Sequence, residues 1–237
     1  MTAIGVVTED GRANAPAVGG EAEVFDGGPS PDEIELTALM ELPAPIVNPA
    51  TPEWQSFVSY TLEQAASRAA DDEEPISSAL LAPESAAMLL PRRLPCQAGQ
   101  SAVILDLDRG DAAFAPGAAM QVAPGLTDGL ARLRDAGIIV MWISRLDANH
   151  ITQVADALKI SGLDPDGTDP ILLLLGENNR KQLLRERAGE TACVVALAGD
   201  QRSDFDEMFD YLRDPETSHG FDVMLGSGWF LAPVPLQ

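Results

Sequence analysis

The chain has 237 residues and a formal net charge of −22, from 15 basic and 37 acidic side chains. This charge repels phosphate backbones and anionic lipids, which argues against direct binding to nucleic acid or to a membrane surface. Hydrophobic residues make up 46% of the chain, which excludes a wholly disordered protein, and no stretch approaches the ~20 apolar residues that span a bilayer.

The first part of the chain does not resemble a packed domain. Residues 1–52 are rich in proline, glycine and acidic residues, a composition that interrupts helices and central strands. We therefore predict an extended, partly ordered arm, with one short helical piece at Pro31–Leu42.

Residues 53–95 are predicted to be a helical N-terminal region. From Trp54 to Ala66, apolar residues recur at helical spacing, which predicts an amphipathic helix that ends near Ala70. A second helix is predicted over Ser77–Leu90, before Pro91.

Residues 96–237 alternate strand-like and helical segments. This alternation predicts an α/β fold of three layers, in which helices cover both faces of a Rossmann-like parallel sheet. The predicted strands are Ala102–Leu105, Ile138–Ile143, Ile171–Leu175 and Ala192–Leu197, and the predicted helices are Leu126–Ala136, His150–Ser161 and Arg180–Ala188.

Polar residues follow the predicted strands, where ligands bind in parallel α/β sheets. They are Asp106 and Asp108, then Ser144, then Lys181 with Arg180 in reserve, and finally Asp200 and Asp204. Carboxylates at a strand end supply a nucleophile and a general acid, and they suit a hard cation such as Mg²⁺ better than zinc. A serine hydroxyl and a lysine ammonium suit the oxygens of a phosphoryl group.

These four motifs resemble those of the haloacid dehalogenase superfamily of phosphotransferases. They read Val103-Ile104-Leu105-Asp106-Leu107-Asp108, Ile143-Ser144, Lys181, and Gly199-Asp200-Gln201-Arg202-Ser203-Asp204. Residues 54–237 more narrowly resemble the secreted, lipoprotein-type acid phosphatases, through Pro95-Cys96, the stretch from Gly199 to Phe209, and Gly228 to Pro233.

The resemblance implies a Mg²⁺-dependent phosphomonoester hydrolase that forms an aspartyl-phosphate. Asp106 would be the nucleophile and Asp108 the general acid and base, while Ser144 and Lys181 would bind phosphoryl oxygens. Asp106, Asp108 through its backbone carbonyl, Asp200 and Asp204 would hold the metal ion. The implied partner is a small-molecule phosphomonoester.

Two departures from the acid phosphatases leave an alternative open. Arg109-Gly110 replaces their Glu-Thr, and Pro233-Val234-Pro235 replaces their Pro-Asn-Pro. The missing threonine normally supports the loop, so the alternative function is a binding or interaction protein with a decayed site. The short spacing between motifs leaves no room for a large cap domain, which predicts an open site.

The cysteines and the N-terminus bear on the cellular compartment in which the protein resides. Cys96 and Cys193 favour two unpaired, buried thiols, with a single bridge between them as the alternative. The N-terminus lacks a secretory signal and so predicts the cytoplasm, whereas the resemblance implies the periplasm or secretion if a signal peptide was removed. The oligomeric state and the identity of the ester are not determined by the sequence.

Overall fold

The computed structural model describes residues 49–70, 77–85, 90–96, 99–117, 120–176, 180–214 and 219–237. The described residues, from residue 49 onwards, belong to one compact unit. The arm predicted over residues 1–52 lies outside the described residues except for 49–52, and its helical piece Pro31–Leu42 lies wholly outside them. The division of the chain at residues 52 and 95 stays a prediction.

The helices and strands follow one another in an order close to that predicted. In chain order they are α1 (Pro52–Ala70), β1 (Ser77–Leu81), β2 (Arg93–Pro95), β3 (Ser101–Asp106), α2 (Leu126–Asp135), β4 (Ile139–Asp147), α3 (Ile151–Ser161), β5 (Ile171–Leu174), α4 (Lys181–Thr191), β6 (Cys193–Gly199) and β7 (Trp229–Leu231). Short 3-10 turns at Arg202–Asp204, Glu207–Tyr211 and His219–Met224 connect β6 to β7.

The central element is a five-stranded parallel sheet in the order β5-β4-β3-β6-β7. Starting at β3, the chain adds β4 and β5 on one side and then returns to add β6 and β7 on the other. The direction of winding therefore reverses at β3. Such a reversal opens a crevice at the carboxyl ends of the strands, which is where ligands bind in this class of fold.

Both faces of the sheet are covered, which confirms the predicted three-layer α/β fold. Side chains alternate along β3, so that Val103 and Leu105 face a core formed with α1, α2 and α3. Ala102 and Ile104 face a second core that contains β1, α4 and the 3-10 turns. In the described residues, a single α-helix lies between β3 and β4 and another between β5 and β6, in agreement with the absence of a large cap.

The first predicted helix is confirmed as α1, which begins at a proline, as helices often do. Its buried face carries Trp54, Phe57 and Val58. The helix packs closely on α2, because a Cβ atom at Gly129 would lie 2.8 Å from a methyl group of Val58. None of the described helices is long and apolar enough to cross a membrane.

The prediction of a second helix over Ser77–Leu90 is wrong for its first residues, because these form strand β1. This strand pairs antiparallel with β2. The Ser78 hydroxyl donates to the carbonyl of Val194 at 2.9 Å, and the indole of Trp229 donates to the carbonyl of Ala79 at 2.8 Å. These partners come from distant parts of the chain, so tertiary contacts override the local helix preference.

The cysteines are bonded to each other, so the prediction of two unpaired thiols is wrong. Cys96 follows β2 and Cys193 opens β6, and their Cα atoms are 5.0 Å apart. The bridge ties the β1–β2 pair to the central sheet across 97 residues of chain.

Candidate active site

The predicted site residues come together at the carboxyl edge of the sheet. Asp106 is the last residue of β3 and Asp108 follows two positions later, while Asp200 directly follows β6. Ser144 lies inside β4 rather than after it, because the strand continues to Asp147, which pairs with Leu174 of β5. These residues meet where the winding of the chain reverses.

A buried ammonium group connects three of the carboxylates. Lys181 is the first residue of α4, and its Nζ donates to Asp106 Oδ2 at 2.5 Å. The same atom donates to Asp204 Oδ1 at 3.1 Å and to Asp108 Oδ2 at 3.2 Å. Lys181 is 8% exposed and Asp106 1% exposed. Lys181 thus points into the site, and the reserve candidate Arg180 instead pairs with Glu207 at the surface.

The Asp108 carboxylate is held on both of its oxygens. Its Oδ1 accepts a hydrogen bond from the Ser144 hydroxyl at 2.6 Å and another from the backbone N–H of Phe114 at 2.9 Å. Its Oδ2 accepts from the backbone N–H of Arg145 at 2.9 Å. Asp108 and Ser144 are therefore in direct contact, and the hydroxyl faces the site from β4.

The two carboxylates after β6 have different partners. Asp204 ends a 3-10 turn, and its Oδ2 accepts from the backbone N–H of Gln201 at 3.1 Å. Asp200 is half-buried, and both of its oxygens accept from the backbone N–H of Gly110, at 3.1 and 3.0 Å. Asp200 therefore holds the loop that follows Asp108.

The charges in this pocket are not balanced. Burial raises the pKa of Asp106 to about 8, against the opposing effect of the Lys181 charge, and the charges of Asp204 and Asp108 add to the rise. Burial alone lowers the pKa of Lys181, but the surrounding carboxylates outweigh it and raise that pKa. Burial also raises the pKa of Asp200. The four carboxylates carry more negative charge than the Lys181 ammonium and the Arg145 guanidinium neutralise; the Arg145 Nε lies 3.7 Å from Asp108 Oδ2.

This excess of negative charge fits a divalent cation. Among the residues that the structure describes, no three acidic, histidine or cysteine side chains already converge as a metal site. The donors at the sheet edge are nevertheless all oxygens, which a hard cation such as Mg²⁺ prefers. A bound cation would also offset the burial and the carboxylate repulsion that together raise the pKa values of Asp106 and Asp200.

The loop after Asp108 is a tight turn. Arg109 and Ala112 exchange two backbone hydrogen bonds, at 3.1 and 3.0 Å, and Gly110 has a φ of +51°. The Arg109 side chain is exposed. The cation that contacts the Asp106 carboxylate is Lys181 rather than Arg109. Gly110 thus occupies a left-handed conformation that a threonine adopts only with strain.

A threonine at this position is expected to destabilise the protein. We expect Gly110→Thr to lower the free energy of unfolding by about 1–2 kcal/mol, because a β-branched residue is strained at positive φ. Gly110→Asn should cost less, since asparagine tolerates this conformation. An added Cβ atom meets nothing within 4 Å, so backbone strain is the main difference. Denaturant unfolding measures both values, and a threonine variant as stable as the asparagine variant would contradict this account.

Two side chains that the sequence analysis did not assign also hold this turn. The Arg145 guanidinium donates to the carbonyl of Asp111 at 2.9 Å and to that of Gly110 at 3.4 Å. The side-chain amide of Gln201 donates to the carbonyl of Gly110 at 3.0 Å. Both residues adjoin predicted site residues, Ser144 and Asp200, and this adjacency is the signal by which they could have been found.

Arg185 is a third residue that the sequence analysis missed. It is fully buried, and its guanidinium donates to the backbone carbonyl of Asp204 at 3.0 Å. Burial lowers its pKa, partly offset by the charges of Asp206 and Asp106. Its signal is the spacing of four residues from Lys181, which places both side chains on one face of α4.

A small cleft leads from Lys181 to the surface. It has a volume of about 120 Å³, and four basic residues line it together with Glu207 and Asp210: Arg145, Arg180, Lys181 and Arg185. This grouping of cations contrasts with the net charge of −22. Basic side chains in a cleft attract anions, although here Lys181 already faces three carboxylates and Arg180 pairs with Glu207. We call it the cationic cleft.

The fold is shared with solved acid phosphatases, which confirms the predicted resemblance at the level of structure. The class C acid phosphatase from Bacillus anthracis superposes with a TM-score of 0.51 at 16% identity, over 77% of each chain. Its structure with tungstate bound gives 0.52 at 18% identity, over 77% of this chain and 76% of that chain. No protein-family model matches the sequence, and no curated protein matches it. At this level of identity, the likeness establishes that the chain shares the fold of these two structures.

Proposed function

We propose that this chain is a divalent-cation-dependent phosphomonoester hydrolase that acts through Asp106. The observation that carries the proposal is the Lys181 ammonium held among Asp106, Asp108 and Asp204 at the carboxyl edge of the sheet. The fold shared with the acid phosphatases supports it, and so does tungstate, a phosphate-like oxyanion bound by one of those neighbours.

In the first step, an Asp106 oxygen attacks phosphorus and the bond from phosphorus to the ester oxygen breaks. The departing alkoxide or phenolate takes a proton from the Asp108 carboxyl. In the second step, water attacks the aspartyl-phosphate and gives its proton to Asp108. Inorganic phosphate leaves, and the Asp106 carboxylate is restored.

Lys181 and Ser144 would bind the oxygens of the phosphoryl group. In the structure, Lys181 lies against Asp106 and the Ser144 hydroxyl donates to Asp108. Binding of substrate therefore requires both donors to exchange a carboxylate oxygen for a phosphoryl oxygen. The exchange replaces one charge-assisted hydrogen bond with another, because phosphoryl oxygens are charged acceptors as carboxylate oxygens are.

Asp106, Asp200, Asp204 and the backbone carbonyl of Asp108 would hold a divalent cation, for which we propose Mg²⁺. When bound, the cation neutralises phosphoryl oxygens and offsets repulsion between the substrate and the carboxylates. Its fit rests on the all-oxygen donor set and on the excess of negative charge in the pocket.

Hydrolysis of an aryl phosphate tests the proposed function. We expect Mg²⁺-dependent turnover between about pH 5 and 8 that is lost in EDTA and in Asp200→Asn, because this substitution removes charge from the cation site. The second candidate is a non-catalytic binding protein, favoured by the 1% exposure of Asp106. Turnover that is absent from the folded wild-type protein at every pH, or equal in Asp200→Asn, would favour that alternative.

For the compartment we propose the exported alternative. The Cys96–Cys193 disulfide supports it, because structural disulfides persist in oxidising compartments and are rare in the cytosol. Alkylation of the protein in its native cells, followed by mass spectrometry, should find neither thiol labelled. Labelling of both thiols would overturn the proposal.

A further inference from the structure

A second, larger cavity adjoins the cationic cleft. It is a groove of about 400 Å³ between the segment that follows β1 and the 3-10 turn Glu207–Tyr211. Four residues line both cavities, namely Arg180, Gln182, Glu207 and Tyr211. The groove therefore shares a wall with the cleft that leads to Lys181, and the Arg180–Glu207 ion pair belongs to that wall. We call it the side groove.

The walls of the side groove combine apolar surface with acidic groups. Leu81, Pro83, Met208 and Leu212 supply apolar walls, and the Tyr211 side chain, 78% exposed, stands at the edge. Among the described residues that line it, three are acidic and one is basic: Glu186, Asp206, Glu207 and Arg180. Arg180 pairs with Glu207, and Asp206 is buried near the Arg185 charge, so the exposed acidic group that remains is Glu186.

The two cavities thus differ in the sign of their charge. The lining of the cleft beside Lys181 has more basic than acidic side chains, whereas the exposed charge of the side groove outside the Arg180–Glu207 pair is the Glu186 carboxylate. A ligand that spans both is matched best when its phosphoryl end is anionic and its far end is positive.

We propose that the side groove binds the organic part of the substrate, and that the preferred class is a phosphomonoester with an apolar body and a basic amine. This inference rests on the proposed phosphatase function and adds a substrate class to it. The apolar walls bury the body of the leaving group. Glu186, which is exposed on α4, attracts the amine.

Non-hydrolysable phosphonates test the groove without turnover. In calorimetric titrations with Mg²⁺ present, 4-(aminomethyl)phenylphosphonate should bind about fivefold more tightly than 4-methylphenylphosphonate, and the 4-carboxy analogue should bind more weakly than both. The preference should shrink at high salt, because the groove is open to solvent. Equal binding of the three compounds would overturn the proposal.

Matched variants test whether Glu186 causes the preference for the amine. Glu186→Gln should reduce the preference for the amine by about two- to fivefold, whereas Glu190→Gln, the same change one helical turn further along α4, should leave it unchanged. Equal effects of the two variants would indicate only overall charge and would contradict the groove. Tyr211→Ala should weaken binding of every aryl phosphonate but not of inorganic phosphate; an equal loss for inorganic phosphate would count against it.

The readout separates this inference from the proposed function. Phosphonate binding with the expected preference, in a protein without turnover, would retain the groove and reject the phosphatase. Turnover of aryl phosphates without any preference for the amine would retain the phosphatase and reject the groove.

Discussion

Asp106→Asn is expected to abolish phosphomonoester turnover, with a loss greater than about 10³-fold, because an amide does not form the aspartyl-phosphate. Asparagine has nearly the same shape, and its amide oxygen still accepts from Lys181. The substitution loses only the hydrogen bond that the backbone N–H of Asp108 donates to the other Asp106 oxygen. The measurement is the initial rate of aryl phosphate hydrolysis at saturating Mg²⁺. Residual turnover above about a tenth of the wild-type rate would remove Asp106 from the nucleophile role.

The same substitution is expected to stabilise the metal-free protein at neutral and alkaline pH. Burial raises the pKa of Asp106 from 3.8 to about 8, so the folded state resists ionisation of this carboxyl. Stability that is present below the unfolded pKa is then lost as the pH rises towards about 8. Asparagine carries no charge and avoids this loss, which is on the order of a few kcal/mol.

Thermal melts in EDTA at pH 5 and pH 8 measure this effect. The variant should gain over the wild type mainly at pH 8, by several degrees for a chain of this size. Asp156→Asn, the same change at an exposed position on α3, should alter neither turnover nor the pH dependence. An Asp106→Asn protein that is less stable than the wild type at pH 8 would show that the Lys181 ion pair outweighs the cost of burial.

Removal of the disulfide is expected to give the largest loss of stability. The Cys96→Ala/Cys193→Ala double variant should lose about 2–4 kcal/mol of unfolding free energy, because the bridge restricts the unfolded chain over 97 residues. The melting temperature should fall by about 2–4 °C for each kcal/mol. Turnover at low temperature should persist, since neither cysteine contacts the carboxylate cluster.

A reducing agent supplies the control for the disulfide. Reduction should lower the melting temperature of the wild type towards that of the double variant and leave the double variant unchanged. Insensitivity of the wild type to a strong reductant that demonstrably opens the bond would contradict a stabilising role for the bridge.

Most of the α/β fold could be predicted because its elements have strong local signals. Long apolar runs mark β3, β4 and β6, and helical spacing marks α1 and α2. Each of these elements can therefore be recognised from about ten residues of sequence. Strand β1 has no such signal, since Ser77–Leu81 reads equally as the start of a helix. Strand β7 has only three residues, too few to establish a period.

The site residues could be predicted from the sequence for a related reason. Parallel strands bring their carboxyl ends to one edge, so Asp106, Ser144 and Asp200 are expected to meet once the strands are placed. The hydrogen bonds between these residues could not be predicted, because they depend on the directions of the side chains. The role of Gly110 also required the structure, since the alternatives of a tolerated and a decayed loop differ in backbone conformation and not in composition.

The sequence by itself determined the parallel sheet, the order of the four motifs and the acidic residues at the strand ends, because each of these follows from local apolar patterns. Only the tertiary structure decided the pairing of Cys96 with Cys193, the strand at Ser77–Leu81 and the partners of Asp200. It also decided which residues line both the cationic cleft and the side groove. These features depend on contacts between residues far apart in the chain, which no local pattern specifies.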